Sequence, residues 1–156
     1  MTYQEYKKNK QQAVNELPIF FAFSNEQFEK EMNKRGLTVN DTDKIYKLPG
    51  NLGGFYLRKD AQIIKDFFMK KDELEDLMKD HDFAVSAFKY EMDNHEYAIN
   101  TYQGDWEVVG VFSQKPLEFA DDKNYKDYLI EADMEDLIPW YQEARTLHYK
   151  DAEEWF

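Results

Sequence analysis

The stretch over residues 60–102 most constrains the fold, because it predicts two amphipathic helices followed by a strand. The first helix has Asp60 as its N-cap and runs to about Lys79. The second follows Asp82, a second capping residue, and ends near Asp93. Their apolar residues recur at helical spacing: Ile63, Ile64, Phe67, Phe68, Leu74, Leu77 and Met78, then Phe83, Ala84, Ala87, Phe88 and Met92. We expect this helix pair to form the core.

A β-hairpin is predicted over residues 44–58, where two short runs of strand-forming residues flank a turn. The turn contains Pro49, Gly50 and Gly53, which are typical of tight connections. Alternation over 97–102 predicts a further strand, which Gly104 ends. Residues 106–109 fit either one turn of helix or a strand that completes a hairpin with 97–103, and the sequence does not separate the two.

Helices are also predicted in the first forty residues. Residues 2–16 indicate an exposed helix with a narrow apolar stripe. Ser24 is the N-cap of a helix over 25–35, and Gly36 follows it. The intervening run 19–23 fits either a buried strand or an apolar turn. We therefore predict a single, mostly helical α+β domain over residues 1–156, with one small antiparallel sheet that includes the 44–58 hairpin.

Charge and composition exclude several classes of protein. The net charge of −12 argues against direct nucleic-acid binding, which needs a basic surface. The lack of cysteine excludes disulfides, thiol catalysis and zinc–thiolate sites. The longest apolar run, 17–23, is far shorter than the roughly 20 residues of a membrane span. We expect a cytoplasmic protein without a cofactor and without a membrane as partner.

Residues 118–156 form an acidic, aromatic-rich portion, predicted to contain one or two helices. They hold twelve Asp or Glu against four Lys or Arg, a net charge of −8, whereas the first 117 residues carry −4. Aromatic side chains inside a charged rim are typical of interfaces, although we expect about half of these aromatics to lie in the core. The predicted interaction surface comprises Asp121, Asp122, Tyr125, Tyr128, Asp133, Glu135, Asp136, Trp140 and Tyr141.

An alternative site combines Glu91, His95 and Glu96. Glu91 and His95 are four residues apart, so they share a face if the second helix extends that far. A histidine with two carboxylates can hold a divalent metal or act as a general base. The spacing matches no established ligand motif, and a histidine at a helix end beside acids is more often structural.

Several short segments carry a resemblance to known sequences: 18–24, 27–28, 43–46, 53–55, 58–59, 90–91 and 94–97. Over roughly residues 3–110 the chain resembles a family of small uncharacterised proteins of Gram-positive bacteria and their phages. The resemblance implies a bacterial host cytoplasm and assigns no activity or site residue. The acidic portion after residue 118 departs from it.

Together these features predict a non-enzymatic protein-interaction module. In its sharpest form the prediction is a phage-encoded inhibitor whose acidic aromatic surface binds the basic site of a host nucleic-acid-processing protein. The alternative is a small metal-dependent hydrolase or transferase that uses Glu91, His95 and Glu96. No feature of the sequence constrains the oligomeric state.

Overall fold

The structure is a computed structural model that describes residues 1–50, 52–95, 97 and 101–153, with the side chains of 101 and 102 excepted. It is mainly helical with one small antiparallel sheet, which confirms the predicted α+β class. The chain forms two compact units. The sheet unit is Asn9–Lys71, and the helical unit comprises Met1–Lys8 and Asp72–Phe156. The prediction of a single domain over 1–156 stays a prediction.

The described elements follow one another in chain order. The α-helices are α1 (Tyr3–Asn15), α2 (Asn25–Lys34), α3 (Ala61–Met69), α4 (Leu74–Leu77), α5 (His81–Asn94), α6 (Thr101–Phe112), α7 (Tyr125–Glu131) and α8 (Ile138–Glu153). The strands are β1 (Ile19–Phe21), β2 (Ile45–Lys47) and β3 (Gly54–Leu57). Short 3-10 helices lie at Thr42–Lys44, Arg58–Asp60 and Glu135–Leu137.

The sheet unit is organised around the antiparallel sheet, whose strand order is β1-β3-β2. Strands β2 and β3 pair as a hairpin with Ile45 opposite Leu57, which confirms the predicted hairpin. The run after Pro18 is the strand β1, the first of its two predicted alternatives. The small core under the sheet is formed by Phe20, Met32 and Ile45, with Phe28, Leu37, Phe55 and Leu57 packed against it.

Helix α2 begins and ends as its sequence predicts. The Ser24 side chain accepts a hydrogen bond from the backbone nitrogen of Gln27 at 3.2 Å. The Gln27 side chain in turn accepts one from the backbone of Phe23 at 2.8 Å. Gly36 has a positive φ of 73°, which a residue without a Cβ adopts at little cost, so it ends the helix.

The core of the helical unit lies where α5 packs against α8. The predicted apolar face of α5 is buried, and the C-terminal helices are confirmed as α7 and α8. Helix α5 begins at His81, and Asp80 caps it by accepting from the Phe83 backbone nitrogen at 3.0 Å. The assignment of Asp82 as its cap is therefore wrong, because the helix starts two residues earlier than predicted.

The prediction of one long helix from Asp60 to about Lys79 is wrong. Helix α3 ends at Met69, and only the short α4 follows. Asp72 interrupts the pattern: its carboxylate accepts hydrogen bonds from the backbone of Leu74 at 3.0 Å and from the hydroxyl of Tyr6 at 2.7 Å. Side chains of this type compete with helical hydrogen bonds. Two residues of the expected apolar face are exposed, Ile63 by 54% and Phe68 by 65%.

The strand predicted over 97–102 is also wrong for the residues that the structure describes. Residues 106–109 lie in a helix, which is the first of their two predicted alternatives. Tyr97 lies in a turn and helix α6 begins at Thr101, whereas residues 98–100 lie outside the described part of the chain. Both Gly104 and Gly110 lie within this helix. Helical spacing instead places Asp105, Val108, Val109 and Phe112 together on its buried face.

Candidate functional site

A cavity of about 420 Å³ opens on the helical unit, which we call the α7–α8 groove. Its floor is apolar and consists of Leu74, Met78, Phe112, Ala132, Met134 and Leu137. Its rim is charged and consists of Glu75, Lys79, Lys115, Asp133 and Asp136. An apolar floor with a polar rim is the usual anatomy of a protein interface.

The connection between α7 and α8 positions the acidic side of this rim. Helix α7 is held at its start by a reciprocal capping box between Asn124 and Asp127. After it ends, Asp133 adopts a φ of 58°, a left-handed conformation that Asp tolerates better than most residues. The backbone nitrogen of Met134 then bonds to the carbonyl of Leu129 at 2.7 Å. This tight reversal leads into the 3-10 helix Glu135–Leu137, so Asp133 and Asp136 both line the groove.

The charges of the rim are only partly neutralised within the chain. Lys115 lies 2.5 Å from Asp133. Lys79 lies 3.1 Å from Asp76. Within the described residues, Glu75 and Asp136 form no ion pair, so two carboxylates beside the apolar floor are open to a partner. The helical unit as a whole carries 24 Asp or Glu against 9 Lys or Arg, a net charge of −15.

The predicted interaction surface separates into an exposed acidic part and a buried aromatic part. Its five acids are all exposed: Asp121, Asp122, Asp133, Glu135 and Asp136. Its three tyrosines lie in the core and leave at most 8% of their surface accessible: Tyr125, Tyr128 and Tyr141. Trp140 is partly buried and contacts the ring of His81 edge-on at 5.5 Å. Of the nine residues, only Asp133 and Asp136 line the α7–α8 groove.

The buried tyrosines serve a polar network that sequence reasoning missed. Asp105 is only 3% exposed and accepts hydrogen bonds from the hydroxyls of Tyr97 and Tyr141, the second at 2.9 Å. Burial raises the pKa of Asp105, because a desolvated carboxylate is costly. The guanidinium of Arg145 lies 4.5 Å from the ring centre of Tyr125. The core encloses this network, so its hydrogen bonds contribute to the fold and not to a surface site.

Glu91 and His95 are brought together as predicted, but Glu91 is already committed to other partners. It accepts hydrogen bonds from the Tyr3 hydroxyl at 2.6 Å and from Lys7 at 2.9 Å. Burial by itself raises the pKa of Glu91, but these two hydrogen bonds and the nearby positive charge of Lys7 together hold the pKa below its ordinary value. His95 lies 3.4 Å from Glu91 and 3.3 Å from Glu107.

The metal-site prediction includes one residue that lies outside the described part of the chain, Glu96. Among the described residues, no group of three or more His, Asp or Glu side chains is arranged to hold a metal ion. A site formed by Glu91, His95 and Glu96 therefore stays a prediction.

Comparison with known proteins identifies a family but no activity. A family profile matches residues 2–107, which is most of the chain. The chain belongs to DUF7659, a family of unknown function. The match includes α1 to α5 and ends inside α6, so the α7–α8 connection lies beyond it. No curated protein and no solved structure matches the chain. Across the described ranges, none of the helices has both the length and the apolar character that crossing a membrane requires.

Proposed function

We propose that this chain is a non-enzymatic interaction module that binds a basic segment of another protein in the α7–α8 groove. The observation that carries the proposal is the apolar floor bordered by Glu75 and Asp136, two carboxylates without an ion pair among the described residues. The net charge of −15 on the same unit adds a long-range attraction for a cationic partner.

The chemistry of the groove defines the segment that fits it. A volume of about 420 Å³ accommodates one or two large apolar side chains of a peptide, which would contact Met78 and Leu137. Lysine or arginine residues flanking them would meet the rim carboxylates. Apolar anchors supply most of the affinity of such interfaces, whereas charge complementarity supplies specificity and fast association. An amphipathic basic segment satisfies both requirements.

A basic nucleic-acid-binding surface is the partner that this chemistry suits best. Such a surface is cationic because it binds phosphates, and an acidic protein can occupy it in their place. We therefore include in the proposal that the protein inhibits a nucleic-acid-processing protein of a bacterial host, as a phage-encoded product in the host cytoplasm. The support for this part is the charge of the helical unit and the resemblance over residues 3–110.

The test compares two pairs of exposed acids. Glu75→Lys with Asp136→Lys changes the groove rim, and Asp121→Lys with Asp122→Lys makes the same charge change before α7. Proteins captured from a host lysate at low and moderate salt are identified by mass spectrometry, and their affinity is then measured by calorimetry. We expect the rim pair to weaken binding by about tenfold or more, since each desolvated charge contact contributes about 1.4 kcal/mol or more.

The control pair separates a specific groove from general charge attraction. Asp121→Lys with Asp122→Lys should change the affinity by less than the rim pair and mainly through slower association. Equal weakening by both pairs would contradict the groove as the binding site. Capture that both pairs leave unchanged would contradict the proposed function itself.

A further inference from the structure

The sheet unit contains a cavity of about 360 Å³ in which cationic side chains converge. Four of its lining residues are cationic, Arg35, Lys44, Arg58 and Lys59, and Asp43 is the acid among them. Leu37 and Leu57 provide its apolar wall. The sheet unit carries 11 Lys or Arg against 8 Asp or Glu, a net charge of +3 in a protein of −12. The clustering of cations in this cavity is therefore not a consequence of the overall composition, which is acidic.

The sheet register brings these cations together from separate parts of the chain. Ile45 pairs with Leu57, so Lys44 and Arg58 flank a matched pair at one end of the hairpin. Lys59 follows directly in the 3-10 helix after β3. Arg35 arrives from the C-terminal end of α2. The cationic cavity is thus a product of the fold.

Both arginines are held in place by aromatic rings. The guanidinium of Arg35 lies 4.0 Å from the ring centre of Phe20, and its Nη1 donates to Glu31 Oε2 at 2.9 Å. The guanidinium of Arg58 lies 4.6 Å from the ring centre of Tyr46. Stacking on a ring covers the flat face of a guanidinium and leaves N–H groups at its edge available to a ligand.

The positive charge of the cavity is only partly neutralised. Arg58 and Lys59 form no ion pair with any described residue, and Lys44 lies 3.6 Å from Asp41. The hydrogen bonds of Arg35 to Glu31 use Nη1, and no other described residue accepts from its remaining nitrogens. A site with this many unused N–H donors is suited to an anion with several acceptor oxygens.

We propose that this cavity binds the phosphate group of a small phosphorylated molecule through Arg35, Lys44, Arg58 and Lys59. A guanidinium presents paired N–H donors that match phosphate oxygens, and lysine adds a mobile point charge. Known ligand pockets span about 300–1,000 Å³, and this cavity lies at the lower end. Leu37 and Leu57 contact the apolar part of the ligand. A nucleic-acid strand requires a basic stripe, which a net charge of −12 and a cationic cavity of this size do not provide.

The experiment is a calorimetric titration of the full chain with inorganic pyrophosphate and, separately, with inorganic phosphate. We expect saturable pyrophosphate binding that weakens with added salt. The variant Arg58→Gln with Lys59→Gln should weaken it by about tenfold or more, because it removes two charged donors from the site and hydrogen bonds to charged groups are the stronger ones. Both side chains are exposed, so the fold should be retained, which circular dichroism checks.

A matched control tests whether the local site or the overall charge is responsible. Lys65→Gln with Lys70→Gln removes the same charge from exposed positions of the same unit that do not line the cavity. It should change the affinity by less than about twofold. Equal weakening by both variants, or no binding of either probe, would overturn the proposal. Tight binding of a single-stranded oligonucleotide without pyrophosphate binding would overturn it as well. The cavity and the α7–α8 groove lie in different units, so failure of one proposal leaves the other standing.

Discussion

At the scale of single residues, Asp105 shows how the helical unit tolerates a buried carboxylate. It is 3% exposed, and two tyrosine hydroxyls donate to it. Burial raises its pKa, while the hydrogen bonds from Tyr97 and Tyr141 and the charge of Arg145 act in the opposite direction without cancelling it. The folded state therefore holds the Asp105 proton more tightly than the unfolded chain does.

The raised pKa of Asp105 predicts that the stability of the fold depends on pH through this residue. Protonation of Asp105 should stabilise the fold as the pH falls through its raised pKa toward its ordinary value of about 3.9. Asp105→Asn keeps an acceptor for the tyrosines but cannot titrate. The wild type should therefore gain stability relative to this variant as the pH falls from 7 to 4. Urea unfolding at both pH values measures the difference.

Asp105→Ala is the companion variant. It leaves two buried hydroxyls without their acceptor and should cost about 1–3 kcal/mol at neutral pH, more than Asp105→Asn costs. A relative stability of wild type and Asp105→Asn that does not change with pH would contradict the assigned protonation.

Residue-level contacts of this kind were beyond sequence reasoning. The two tyrosines lie 8 and 36 positions from Asp105, so no local pattern connects them. The pair Glu91 and His95 was predictable because four residues form one helical turn. The role of Glu91 was not, since Tyr3 lies 88 positions away.

At the scale of elements, local signals predicted α2 and the hairpin, and tertiary contacts overrode them elsewhere. Ser24 caps its own helix and Gly36 ends it, so the effect of both residues can be predicted without the rest of the chain. The break after α3 depends on Asp72, whose hydrogen bond from Tyr6 spans 66 positions. The strand predicted over 97–102 overlaps the start of α6, and the sequence of 106–109 fits either a helix or a strand, because short alternating runs also fit part of a helical pattern.

The two glycines of α6 predict opposite effects of the same substitution. A Cβ on Gly104 would lie 2.8 Å from Cδ2 of Tyr97, whose ring is fully buried. Gly104→Ala should therefore destabilise the protein by about 1–3 kcal/mol through overpacking. A Cβ on Gly110 would meet no atom within 4 Å, so Gly110→Ala should stabilise the helix by about 0.5–1 kcal/mol.

Thermal unfolding of both variants provides the measurement, and each is the control for the other. A destabilising Gly110→Ala would show that α6 does not continue through this position. A neutral Gly104→Ala would show that the ring of Tyr97 does not pack against it.

At the scale of the whole molecule, charge is divided between the two units. The helical unit carries −15 and the sheet unit +3. The sequence shows the excess of acidic residues after position 117. It does not reveal the cationic cavity, because residues 1–117 include parts of both units and together carry a net charge of −4. The boundary near Lys71 was hidden by the apparent continuity of the helix predicted from Asp60. Once that boundary is known, the net charge of each unit indicates its candidate site, the groove with the acidic rim in one unit and the cationic cavity in the other.

The charge of the helical unit predicts how its stability responds to salt. The sheet unit has no tryptophan, whereas Trp106 and Trp140 are partly buried in the helical unit, so tryptophan fluorescence follows the unfolding of the helical unit. Repulsion among like charges destabilises a compact state, and salt shortens its range from about 30 Å at 0.01 M to about 3 Å at 1 M. We expect the urea midpoint seen by fluorescence to rise as sodium chloride increases from 10 to about 500 mM.

A control variant distinguishes screening of this repulsion from a general effect of salt. Asp121→Lys with Asp122→Lys changes the net charge by +4 at exposed positions that form no ion pair with described residues. This variant should be more stable than the wild type at 10 mM salt and should respond less to added salt. A midpoint that falls with salt would mean that attractive pairs such as Lys123 with Glu131 and Lys89 with Asp151 outweigh the repulsion. In that case ion pairs within the helical unit would neutralise many of its acids. Its attraction for a basic partner would then be correspondingly weak.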